Sequence, residues 1–198
     1  MSNRTARPFA PRVLARTRGV AAALLALALG PAAFAAQGDD DATAMARGRP
    51  QELIVAGDIT PAQRAAILEP IQALYGFWNN GSPALLQKAL SPQFFDHALP
   101  PGRPQGPAGP AAASKGFLAA VPDLVVAVVQ QLVVGDRVVS QVRLTGHFTG
   151  ALGSVKGTGQ AIDFLAIDIL RVKDGKVTDN WHLEDNLGFE QQAGLLPK

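Results

Sequence analysis

Cysteine is absent from the 198 residues, and histidine occurs only three times. Without cysteine there is no disulfide framework, no thiolate nucleophile, no sulfur ligand for a metal and no lipobox for a lipid anchor. The three histidines, His97, His147 and His182, are too scattered to give the i, i+4 pair of a helical metal site. Also missing are a Gly-x-Ser-x-Gly elbow, a P-loop and a dinucleotide fingerprint, which excludes serine hydrolase, kinase and Rossmann readings. The glycine-rich stretch Gly153–Gly159 joins two strand-like runs and reads as a hairpin loop.

Acidic residues are absent from the first eighteen positions, which hold Arg4, Arg7, Arg12, Arg16 and Arg18. The formal charge of +2 therefore belongs to that end of the chain; from Ala36 onward 13 basic residues face 16 acidic ones. Scattered lysine and arginine on a mildly acidic chain give no footprint for nucleic acid. After the arginines comes the apolar run Val20–Leu29, then Gly30-Pro31 and the small-residue stretch AAFAAQ. That order predicts a signal peptide over residues 1–35, cleaved after Ala33-x-Ala35, because the run falls short of the roughly 20 residues a membrane span needs. A periplasmic or secreted protein, free of the membrane after processing, is expected.

Residues Gln37–Pro50 are small and polar without an apolar period, which predicts a flexible linker, taken as 36–58, ahead of one domain over 59–198. Thr60-Pro61 is a helix start, and Ile67, Leu68, Ile71, Leu74, Tyr75 and Trp78 recur at helical spacing up to Asn79-Asn80-Gly81. Ser82-Pro83 starts a short helix through Leu90, followed by a strand-like piece, Phe94-Phe95-Asp96-His97. The stretch Leu99–Pro110 is too rich in proline and glycine for anything but a loop, and a third helix is expected over Ala111–Val121. From Asp123 four β-branched runs separated by turn signals predict an antiparallel meander. Helices followed by a curved sheet give an α+β domain with a pocket between the two layers.

Several pieces stand in a telling order: HALPPG (97–102), VPD (121–123), GD-x-VV (135–139), GHFTG (146–150), AIDILRVKDGKV (166–177) and NWHLEDNLGFEQQAGLL (180–196). In this the chain resembles the SnoaL-like polyketide cyclase, or ester cyclase, branch of the nuclear-transport-factor-2-like superfamily. The resemblance implies a conical α+β barrel, commonly a homodimer, using no metal or redox cofactor, whose characterised members close polyketide rings by an intramolecular aldol reaction. The chain departs from the pattern in its leader, in the extra proline and glycine after His97, and in Trp181-His182 where many relatives read Trp-Asp. The presumed acid/base position thus carries an imidazole.

Aldol closure needs a base for a proton alpha to a carbonyl and a donor for the developing oxyanion. A three-residue loop at Lys173-Asp174-Gly175 would set Ala166 opposite His182 and Asp168 opposite Asn180, with Asp168 and His182 on one face. The other face would then pair Ile167 with Trp181 and Leu165 with Leu183, an apolar surface for packing or a subunit contact. A two-residue Asp-Gly turn would instead turn His182 away from Asp168. The first register is preferred, with His182 as general base near neutral pH and Asp168 orienting it; a purely structural histidine is the alternative.

Tyr75, His97, Asn180 and Asp185 complete the candidate site as substrate-binding residues. Tyr75 either offers its hydroxyl to a ligand or is core, and Asp185 either lines the pocket rim or caps the short helix Leu187–Ala193. His97 stands either at the pocket mouth or exposed on the loop, and His147 reads as structural. Two functions fit: an exported cyclase, isomerase or dehydratase acting on a small hydrophobic carbonyl compound, or a non-catalytic periplasmic binding or accessory protein of the same fold.

Overall fold

The structure, a computed structural model, describes residues 38–196. The expected signal peptide lies outside the described residues. Among the described residues five helices accompany eight strands, six of them in one sheet.

The helix starts read from the sequence are where local chemistry puts them. Helix α2 (Pro61–Asn80) opens on a capping box, with Gln63 N–H donating to Thr60 Oγ1 at 3.3 Å and Thr60 N–H to Gln63 Oε1 at 2.9 Å. It closes on Gly81, whose φ of 71° only glycine adopts without strain. Its apolar stripe buries Leu68, Ile71, Leu74, Tyr75 and Phe77. Ser82 caps α3 (Pro83–Ala89), which leads into β2 (Leu90–Asp96). Helix α4 (Ala108–Ala120) starts three residues earlier than expected, because Pro110 is tolerated in a first turn where the N–H would be unused.

The expected linker is corrected. Residues 41–47 form α1 (Asp41–Arg47), capped by Asp40, and residues 52–56 form β1 (Glu52–Ala56). Small residues are what this junction demands: Ala44 is wholly buried, and a Cβ on Gly76 of α2 would stand 3.0 Å from the Met45 backbone nitrogen. The same composition that reads as flexible allows two helices to approach this closely.

The meander is present as β3 (Val125–Val134), β4 (Arg137–Phe148), β7 (Gln160–Lys173) and β8 (Lys176–Glu184), antiparallel neighbours in that order. The connection between β4 and β7 folds into a small hairpin, β5 (Ala151–Leu152) with β6 (Val155–Lys156). Strand β1 adds in parallel beside β3, and β2 in parallel beside β8. These two strands end the sheet order and do not pair, so the curved sheet stays open. Its inner face packs on α2, α4 and the C-terminal helix α5 (Asn186–Ala193), with Phe117 of α4, Phe164 of β7 and Phe189 of α5 in mutual contact. Each such ring taken from water stabilises the fold by about 1.5–3 kcal/mol.

Neither expected register of the β7–β8 hairpin holds. The turn is the two-residue one, Lys173 pairing with Lys176 across Asp174 and Gly175, both at positive φ. A bulge then leaves Thr178 without a partner, and beyond it Asp168 stands opposite His182, Ile169 opposite Trp181 and Ile167 opposite Leu183. The extra residue reverses the alternation. Asp168 and His182 therefore share the inner face despite the short turn.

Candidate active site

Between the helices and the inner face of the sheet lies a cavity of about 610 Å³. Leu74, Tyr75 and Trp78 of α2 and Phe117 of α4 form its apolar wall, and Pro100–Pro104 of the proline loop border it. Asp96, Asp168, Asn180, His182 and Glu184 supply the polar side. Alternation aims them there: residues 180, 182 and 184 of β8 and residues 166 and 168 of β7 are all inward.

His182 is held from both sides. Nδ1 lies 2.7 Å from Glu184 Oε1 and Nε2 lies 2.9 Å from Asp96 Oδ1. The hydrogen bond to Glu184, helped by its charge and by Asp96, outweighs burial and pushes His182 up to about 9. At neutral pH the ring is thus an imidazolium donating both N–H groups. The expectation of a free general base near neutral pH is corrected, because two carboxylates stabilise the charged form. For Glu184, burial works toward the neutral form, but the bond to His182 prevails and holds its carboxyl below the usual range.

Asp168 is not hydrogen-bonded to His182, although the two are cross-strand neighbours. Its Oδ2 accepts from the Tyr75 hydroxyl at 2.8 Å and its Oδ1 from Asn180 Nδ2 at 2.9 Å. Burial raises its pKa, and the two hydrogen bonds and the His182 charge offset this only in part. Burial, then the Asp168 charge, raises Tyr75 well above an ordinary phenol, so it remains a neutral donor. Tyr75 is a core residue, 1% exposed, whose hydroxyl is taken up by Asp168 at the border of the cavity.

Two candidates stand elsewhere. His97 follows Asp96 by one residue, and its ring stacks on Trp181 at 4.0 Å, away from the cavity lining, with Nε2 2.9 Å from Asp179 Oδ1. Asp185 caps α5 by accepting from Gly188 N–H at 2.9 Å and does not line the cavity. His147 pairs with Asp123 on the surface. The sequence reading missed Asp96 and Glu184, each two positions from a neighbour on the same face: Phe94 for Asp96, His182 for Glu184. Strand alternation alone could have found both. Among the described residues no cluster of three or more histidine, aspartate or glutamate side chains has metal-binding geometry.

An α+β shell that gathers carboxylates, an imidazole and a phenol along one concave, partly apolar cavity defines a class of small-molecule pocket. The sequence model of the SnoaL-like polyketide cyclases matches residues 69–193, and the chain belongs to that family. A candidate polyketide cyclase from Bacillus cereus ATCC 10987 is 38% identical, with a TM-score of 0.69 over 75% of this chain and 94% of that one. A candidate hydroxylase, AclR from Streptomyces galilaeus, is 26% identical, with a TM-score of 0.58 over 70% of this chain and 85% of that one. A protein with a ketosteroid isomerase-like fold from Catenulispora acidiphila DSM 44928 is 19% identical, with a TM-score of 0.51 over 65% of this chain and 94% of that one, and shares the fold. No curated protein matches.

Proposed function

We propose that this protein is an exported, cofactor-independent enzyme that moves a proton alpha to the carbonyl of a small hydrophobic compound, leading to aldol cyclisation, isomerisation or dehydration. The observation that carries this is the pairing, in one largely apolar cavity, of a carboxylate kept basic by burial with an imidazolium clamped between two others. Asp168 takes the proton, and Tyr75 and Asn180 hold its carboxylate in place. His182 faces the developing oxyanion. Glu184, the more exposed of its two partners, yields an N–H to that oxygen, which later takes the proton. Family membership supports chemistry of this kind.

The test needs no known product. A panel of β-keto esters and cyclic ketones is incubated in D2O and α-proton exchange is followed by NMR. Wild-type protein accelerates exchange on at least one of them, and Asp168→Asn loses roughly 10²–10⁴-fold. The rate is bell-shaped in pH, rising as Asp168 ionises above its usual range and falling as His182 loses its proton at about 9. Saturable binding without exchange anywhere in the panel would favour the non-catalytic binding protein instead.

Export is inferred from the arginine-rich start, the apolar run and Ala33-x-Ala35. A mature N-terminus at Ala36 is the expected sequencing result. A homodimer is inferred from the outer face of the sheet, where Leu165, Ile167, Ile169 and Leu183 are all at least 40% exposed.

A further inference from the structure

A row of polar side chains crosses the apolar inner face of the sheet. Gln131 of β3 stands opposite Ser140 of β4, Ser140 opposite Asp168 of β7, and Asp168 opposite His182 of β8. Gln131 and Ser140 are wholly buried and flanked on their strands by buried Val133, Val138 and Val142. Neither lines the cavity, so neither touches a bound ligand. An amide and a hydroxyl in such a place cost stability unless they are hydrogen-bonded.

Their bonds point one way. Gln131 Nε2 donates to Ser140 Oγ at 3.0 Å, which leaves the serine proton free to donate onward. Ser140 is the cross-strand neighbour of Asp168, the carboxylate to which the Tyr75 phenol gives its own proton. Gln131 Oε1 accepts nothing, so this amide is kept at a cost that valine or leucine would avoid. The benefit must lie at the other end of the chain of donors, where each bond polarises the next.

We infer that Gln131 and Ser140 are positioning residues, a buried donor relay that fixes the Tyr75 proton on the Asp168 carboxylate. The inference rests on the reading of Asp168 as the proton-transferring group. The relay keeps the phenol from turning its proton elsewhere and makes it a stronger donor, so the Asp168 carboxylate is stabilised beyond what Asn180 and the His182 charge supply. A carboxylate buried this deeply would otherwise stay protonated further up the pH scale and be a base in fewer molecules.

The experiment titrates the aspartate side-chain carboxyl carbons by 13C NMR in wild type, Ser140→Ala, Ser140→Thr and Gln131→Met, with α-proton exchange measured alongside. Ser140→Ala raises the Asp168 midpoint by roughly half a pH unit or more and moves the acid limb of the exchange profile by the same amount. Gln131→Met shifts both in the same direction by less, and Ser140→Thr, which keeps the hydroxyl, restores them. A merely structural role would lower stability and leave the midpoint in place. An Asp168 midpoint unchanged in the folded variants overturns the relay, even where Asp168→Asn abolishes exchange. A shifted midpoint in a protein that exchanges no α-proton upholds the relay and removes the catalytic reading instead. Should Ser140→Ala fail to fold, Gln131→Met alone decides.

Discussion

The two faces of the β7–β8 hairpin are made of alternate residues of the same two strands and carry opposite chemistry. Inward are Asp168, Asn180, His182 and Glu184, each in a hydrogen bond and all around one cavity. Outward are Leu165, Ile167, Ile169 and Leu183, exposed by 40–76%. The usual economy of a half-exposed sheet, apolar inside and polar outside, is locally inverted. A polar interior costs stability for each group that loses its partner, whereas an apolar exterior needs only to be covered. The inward face is therefore intolerant of single changes and the outward face permissive of them, which can be tested by breaking one face at a time.

The largest effect is expected from inserting one alanine between Asp179 and Asn180, just beyond the bulge at the unpaired Thr178. The extra residue reverses the alternation of the rest of β8: His182 and Glu184 turn outward, and Trp181 and Leu183 are forced against the cavity. Exchange activity should vanish, and the His182 midpoint should fall from about 9 to the ordinary imidazole value near 6.5. Chemical denaturation should show a loss of several kcal/mol. An insertion that keeps the midpoint near 9 would mean that the strand absorbs the extra residue in its bulge and that packing, rather than spacing, sets the face.

Next is the clamp on His182. Its folded pKa lies above its unfolded one, so the clamp's stabilisation is fully present below pH 6.5 and is lost as pH rises through about 9. With some allowance for solvent screening, that loss is of order 2–3 kcal/mol. Glu184→Gln removes the larger contribution, so its stability should vary much less across pH 6.5–9 than that of wild type, as read from urea midpoints.

Much of the fold can be read from short stretches because its signals are local. Thr60-Pro61, Ser82-Pro83 and Asn79-Asn80-Gly81 each fix a helix end through atoms within a few residues. Helix α1 sends only the Asp40 cap, without an apolar period behind it, and strand β1 sends nothing local: α1 owes its place to Gly76 and α2, and β1 to the free edge of β3. The site divides the same way. His182 and Asp168 stand out by residue type and Glu184 by alternation, but the pairing of His182 with Asp96 spans 86 positions and depends on a parallel edge strand that no hairpin rule supplies. Ser140 and Gln131 read as ordinary strand residues until the register aligns them with Asp168.

The smallest effect on the pocket should come from the outer face. Ile167 and Leu183 are cross-strand partners there, so Ile167→Glu sets a charge at the centre of the apolar patch without touching an inward side chain. If a second copy covers this patch, sedimentation should show the wild type as a dimer and the variant as a monomer. The monomer should lose no more than about 0.5 kcal/mol of intrinsic stability, as for other exposed substitutions. Because alternation keeps position 167 off the cavity, the His182 midpoint and the exchange rate per chain should remain those of wild type. A variant that dissociates and also loses exchange would show that the faces are coupled, with the partner's contact holding the β7–β8 hairpin in the curvature that brings His182 to Asp96.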